Sequence, residues 1–163
     1  MNLKLQFSLL LRKIKDDRSG ITLIELLMVV MMVAILSTLS VPFFARFFNQ
    51  NAVENASVQL LGDFHKAQIY AMTGKANDNW GVHYAGNTIT LYKGTAYGVD
   101  TSFNETFSVP AAVSISGFID INFAKGTGKP STGNPSTTPT ISISAPGNNS
   151  EVITINSQGV ATR

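Results

Sequence analysis

Glu25 is the one charged side chain between Ile21 and Val41. A carboxylate inside an apolar run is costly, roughly 2.5–3.5 kcal/mol at the centre of a membrane span and less toward its end. Glu25 lies about one helical turn into the run. Its presence there points to a cationic partner. A cut after Gly20 would create such a cation, the new α-amine of Ile21. Amine and carboxylate cannot pair easily within one helix, because the amine sits at the helix end. They can pair between helices packed side by side and staggered by a turn. The plainer alternative is an interfacial acid that snorkels to water.

Little other chemistry is legible. The chain has no cysteine, which removes disulfides, thiolate metal sites and thiol nucleophiles together. His65 and His83 are the only histidines, one beside Phe64 and one between Val82 and Tyr84, and both read as structural. The acids are scattered, so no paired-carboxylate site or calcium loop is suggested, and no phosphate-binding glycine loop follows a strand. No enzyme, cofactor or metal is therefore expected. Lys125, Lys129 and Arg163 are the only candidates for a DNA contact, against the plainer reading of solvated surface charge.

The elements that would position these residues begin with a leader. Lys4, Arg12, Lys13, Lys15 and Arg18 face only Asp16 and Asp17 before residue 21, a balance of about +3. The remaining seven Lys and Arg against eight Asp and Glu leave about −1, too little positive charge for a strong nucleic-acid footprint. The run from Ile21 to Val41 is long enough to cross a bilayer as a helix and carries no polar stripe. Basic residues before it place the N-terminus on the cytoplasmic side. An ordinary secretory signal fits less well, since the run exceeds the usual length of about 7–15 residues. Pro42 should kink or locally melt the helix, and Phe43, Phe44, Phe47 and Phe48 surround Arg46 behind it.

From Asn49 the pattern turns amphipathic. Val53, Ala56, Leu60, Phe64, Ala67 and Ala71 recur at spacings of three and four and form one apolar stripe. Leu61, Ile69 and Met72 are expected to widen it, with Asn55, Gln59, Asp63, Lys66 and Gln68 mostly off it. Gly74 is a natural C-cap. Beyond it, short alternating segments read as strands at 80–84, 88–92, 105–109, 113–116, 119–123, 140–144, 151–155 and 159–162. Two hairpins are expected, around Ala85-Gly86-Asn87 and Pro146-Gly147-Asn148-Asn149. Residues 93–104 read as turn-rich. Lys125–Pro139, dense in Gly, Ser, Thr and Pro, reads as an exposed, mobile loop.

The stretch Gly20-Ile21-Thr22-Leu23-Ile24-Glu25-Leu26, behind a basic leader, resembles the class III signal of type IV pilins and type II secretion pseudopilins. Ile21 stands where phenylalanine is usual. The tail, with Ile121-Asn122-Phe123 before Gly126, Thr140-Ile141-Ser142-Ile143, Val152-Ile153-Thr154-Ile155 and Gly159-Val160, is similar to the GspH/FimT-type minor pseudopilins. The resemblance implies that a prepilin peptidase/N-methyltransferase cuts after Gly20 and methylates Ile21. It implies that Glu25 serves assembly and that Pro42 is the helix-kinking proline. The implied partners are that peptidase, other pilin or pseudopilin subunits in a helical filament, and the inner membrane.

The expected architecture is α+β and pilin-like: a leader at 1–20, a transmembrane and filament-core helix at 21–48, and a globular domain at 49–163. The amphipathic helix 49–74 of that domain would lie on the β-rich region 75–163. The protein would sit single-pass in the inner membrane, with its C-terminal domain outside the cytoplasm, and then in a pilus or pseudopilus. Its expected function is that of a minor structural subunit. The alternative is a tip-located minor pilin that binds DNA for uptake.

Overall fold

A computed structural model of the chain describes residues 20–131, 139–147 and 149–163, and not the side chains of 39–42. The leader expectation for residues 1–19 lies outside the described residues, and so does the side chain of Pro42. The fold is α+β. Among the described residues, one helix, α1 (Leu23–Met72), is followed by a short 3-10 turn at Lys75–Asn77 and eight strands. The chain divides into two compact units, Met1–Pro42 and Phe43–Arg163.

In the first unit, α1 starts at a side-chain cap. The Glu25 amide donates to Thr22 Oγ1 at 3.3 Å, the geometry of a Thr-x-x-Glu capping arrangement. The apolar side chains from Ile21 to Leu36 are all exposed, from 47% at Leu27 to 82% at Leu23, so none of the described residues covers them. The hydroxyls of Ser37 and Thr38 are satisfied by the helix itself. Ser37 Oγ donates to the Val33 carbonyl at 2.7 Å and Thr38 Oγ1 to that of Ile35 at 2.8 Å. This helix is long and apolar enough to cross a membrane.

In the second unit, one face of α1 packs on antiparallel strands. Val53, Ala56, Leu60, Phe64, Ala67 and Ala71 are all buried in the core. Three alanines between larger side chains let strands approach the helix closely. Phe64 packs edge-to-face with Phe118 and Phe123. The stripe is narrower than expected. Ile69 and Met72 are exposed and Leu61 is only half-buried. Asp63, expected off the stripe, is buried, because it sits three residues past Leu60 and four before Ala67, on the flank of the core face.

The strands form two four-stranded sheets. The first has the order β3 (Asp100–Ser108), β2 (Thr88–Lys93), β1 (Trp80–Ala85), β5 (Asp120–Phe123). The second has the order β4 (Ser114–Ser116), β6 (Thr140–Ala145), β7 (Asn149–Ile155), β8 (Ala161–Thr162). All pairings are antiparallel. The chain passes from the first sheet to the second at β4, returns at β5, and finishes in the second. Ala85 pairs with Thr88, so the β1–β2 turn is the two residues Gly86 and Asn87, both at positive φ, as a type I′ hairpin requires. Inward residues of both sheets meet α1: Val82, Ile89, Leu91 and Ile121 from one, Ile141, Ile143, Ile153 and Ile155 from the other.

Two expectations about loops are corrected. The turn-rich stretch before residue 105 is shorter than read, since β3 begins at Asp100. Lys93 Nζ holds Asp100 Oδ2 at 2.6 Å across the β2–β3 connection and starts the strand there. The stretch 125–131 is anchored rather than free: the Gly126 amide donates to the Ala71 carbonyl at 2.8 Å and the Ser131 amide to that of Asn122 at 2.7 Å. Residues 132–138, the rest of that loop, lie outside the described residues.

Candidate functional site

Gly20 is exposed, with open space where a Cβ would stand, and Ile21 beside it is 74% exposed. The peptide between them lies just ahead of the Thr22 cap. Glu25 is exposed as well. Its carboxylate in the first turn of α1 is favoured by the positive end of the helix dipole. The structure therefore gives Glu25 a local role that the sequence reading did not weigh, alongside any pairing with a second chain. Thr22 is the residue that reading missed; Thr-x-x-Glu ahead of an apolar run was the available signal.

The three DNA-contact candidates are not brought together. Lys125 Nζ donates to Asn77 Oδ1 at 2.9 Å, in the turn that follows α1. Arg163 forms an ion pair with Glu151 and lies 3.9 Å from Glu54. Glu54 and Ala71, which accepts from Gly126 beside Lys125, are separated by roughly 25 Å of helix at 1.5 Å per residue. Lys129 is exposed on the anchored loop.

Both histidines make packing contacts. His65 Nε2 lies 2.9 Å from the Ala161 carbonyl, to which it donates, tying α1 to β8. His83 stacks on Tyr97, centroids 3.8 Å apart and planes 4° from parallel. Among the described residues no group of three or more His, Asp or Glu is placed to hold a metal ion.

The most connected polar cluster lies on the first sheet. Tyr92 Oη donates to Asp120 Oδ1 at 2.7 Å and accepts from Asn122 Nδ2 at 3.2 Å. Asn122 also donates to the Gly94 carbonyl at 2.7 Å, and Ser131 Oγ donates to Asn122 Oδ1 at 2.8 Å. Burial and the bond to Asp120 push the Tyr92 hydroxyl well above its ordinary pKa, so it stays a neutral donor. Such a cluster fixes the β2–β3 and β5–β6 connections. It contains no base poised beside a nucleophile.

A second linkage runs from α1. Gln68 Nε2 donates to the Gln158 carbonyl at 2.9 Å and to that of Gly128 at 3.3 Å. A Cβ at Gly159 would lie 2.2 Å from the Gly128 oxygen, so the two loops touch backbone to backbone. At the opposite end of the packed part of α1, a cleft of about 410 Å³ is lined by Gln50, Val53 and Glu54 and by Asn149, Ser150, Glu151 and Arg163. Its charged groups already pair with one another.

Asp100, Lys66 and Asp63 serve local contacts. The Lys93 ammonium and the Ser102 amide hold the Asp100 carboxyl down to about 2. The bond to Glu105 raises the Lys66 ammonium. Desolvation raises Asp63, partly offset by the amide of Gln59 at 3.1 Å. No protein-family model matches the chain, and no curated protein or solved structure matches it.

Proposed function

We propose that the chain is a minor pilin or pseudopilin: a membrane-anchored structural subunit, processed after Gly20 and assembled through its N-terminal helix into a pilus or type II secretion pseudopilus. One observation carries this reading. A single helix, Leu23–Met72, has apolar side chains exposed all round its first part, with Glu25 the lone charge there, while its second part buries one stripe in a β domain. An element of that kind needs lipid or other helices around its first part and a folded domain on its second. The abrupt Gly20-Ile21 start adds a processing signal. The Ile21 amine so released is the cation for Glu25 of a neighbouring copy.

The DNA-receptor reading gains nothing from the placement of its residues. Lys125 and Arg163 are engaged by groups of their own chain, at opposite ends of the packed helix. The scaffold reading is tested by Glu25→Ala in cells that assemble the filament. Membrane insertion and cleavage are expected to persist while incorporation into sheared filaments drops. Normal incorporation of the variant would remove Glu25 as the assembly device.

A further inference from the structure

Residues 20–22 are non-helical, and α1 begins only at Leu23, beyond the peptide of the proposed cut. The Leu26 amide donates to the Thr22 carbonyl at 3.1 Å, which makes Thr22 the N-cap. The helix would reach one residue further back if the Glu25 amide bonded the Ile21 carbonyl, four residues before it. Thr22 Oγ1 takes that amide instead, at 3.3 Å. Among the described residues no backbone amide donates to the carbonyl of Gly20 or Ile21. The same side chain that starts the helix therefore competes with the bond that would carry it back toward Gly20.

We infer that Thr22 is a positioning residue for the cut: its hydroxyl holds the helix start at Leu23 and so keeps the Gly20–Ile21 peptide outside the helix, open to a peptidase. The inference rests on the processing reading above. Hydrolysis adds water across the Gly20 carbonyl carbon and the Ile21 nitrogen and leaves a carboxyl and an amine. The peptidase supplies the catalytic groups; this chain supplies an accessible peptide. Were the helix two residues longer, the Gly20 carbonyl would accept from the Ile24 amide and the peptide would be wound into the first turn. Adding a residue to an existing helix costs little, so its end lies where the end amides find other partners. Gly20 opposes helix on one side of the cut through its backbone freedom. Thr22 opposes it on the other side through its cap. Removing a threonine cap shifts the helix-start equilibrium by about two- to thirtyfold.

The test follows the loss of residues 1–20 from the full chain in detergent micelles, with a prepilin peptidase added. Thr22→Val keeps the shape and a similar helix propensity but has no oxygen to accept the Glu25 amide. It should be cut at least about threefold more slowly than the wild type, whereas Thr22→Ser, which still caps, should stay within about twofold. Carbon chemical shifts of Gly20 and Ile21 in the uncut chains give a second readout. They should move toward helical values in Thr22→Val and stay in place in Thr22→Ser. Equal cutting of wild type and Thr22→Val overturns the inference, and so does slow cutting of Thr22→Ser. Slow cutting of Thr22→Val with unchanged shifts also overturns it, by assigning the hydroxyl to a direct contact with the peptidase. A wild-type chain that is not cut after Gly20 removes the processing reading and this inference together.

Discussion

The Tyr92 ring occupies the space where a side chain on its cross-strand partner Gly81 would have to be. A Cβ built on Gly81 would lie 2.5 Å from both Cζ and Oη of Tyr92. The ring cannot swing aside cheaply, because its hydroxyl is bound to Asp120 and Asn122. Gly81→Ala should therefore destabilise the β domain by about 2–3 kcal/mol, the cost of forcing volume into a packed site. Tyr92→Phe should cost about 1–2 kcal/mol by leaving Asp120 and Asn122 short of a partner. The two substitutions should not be additive, and Gly81→Ala should cost less in a Tyr92→Leu background. Urea melts of the wild type, Gly81→Ala, Tyr92→Leu and the Gly81→Ala/Tyr92→Leu double variant measure the second comparison, and the Tyr92→Phe pair the first; strict additivity in both would show that the contact is not what makes Gly81 necessary.

Phe64 is fully buried between the helix and both Phe118 and Phe123. Phe64→Ala should cost roughly 3–5 kcal/mol, the usual range for emptying such a site. A loss under about 1 kcal/mol would contradict its place in the core. Ile69→Ala, at an exposed position of the same helix, should stay within about 0.5 kcal/mol.

Burial raises the carboxyl of Asp63 in the folded chain. The folded state then binds more protons than the unfolded state from about pH 3.8 upward to the raised value, so in that window Asp63 makes stability fall as pH rises. Asp63→Asn keeps the hydrogen-bonding shape and removes the titration. Its advantage over the wild type should be absent at low pH and grow to a plateau toward neutral pH. Asp100 acts oppositely: held down to about 2, it stabilises above about pH 3.8 and loses that contribution as pH falls through about 2. Melting temperatures of wild type, Asp63→Asn and Asp100→Asn across pH 2–7 separate the two signs.

Gln68 joins the 124–131 and 156–159 connections to α1. Gln68→Ala should cost about 1–2 kcal/mol. Its more specific effect should be faster amide exchange at Gly126 and Gly159, with β1 and β2 unchanged. Uniform acceleration across the domain would assign Gln68 to global stability instead of to this junction.

How much of this was legible before the structure depends on the range of the contacts involved. The six stripe residues from Val53 to Ala71 follow from a period near 3.6, which is local information, and all six are buried. Hairpins at Gly86-Asn87 and around Pro146-Gly147 follow from turn residues between alternating runs. The start of β3 at Asp100 was hidden because an edge strand reading Asp-Thr-Ser-Phe-Asn has no apolar alternation; Lys93, seven positions back, defines it. Loop 125–131 looked free because glycine and threonine content says nothing of partners at Ala71, Asn122 and Gln68. The division into two sheets and the burial of Asn122 depend on register, which single-strand patterns leave open.

The central claim is that the chain is cut between Gly20 and Ile21 and that the new amine serves a helix whose lone charge is Glu25. Intact mass and N-terminal fragment masses of the protein extracted from membranes test it most directly. The account predicts a chain beginning at Ile21 and carrying one N-methyl group. A mature N-terminus after Val41, from an ordinary secretory cut, would contradict it, and so would a chain that retains residues 1–20.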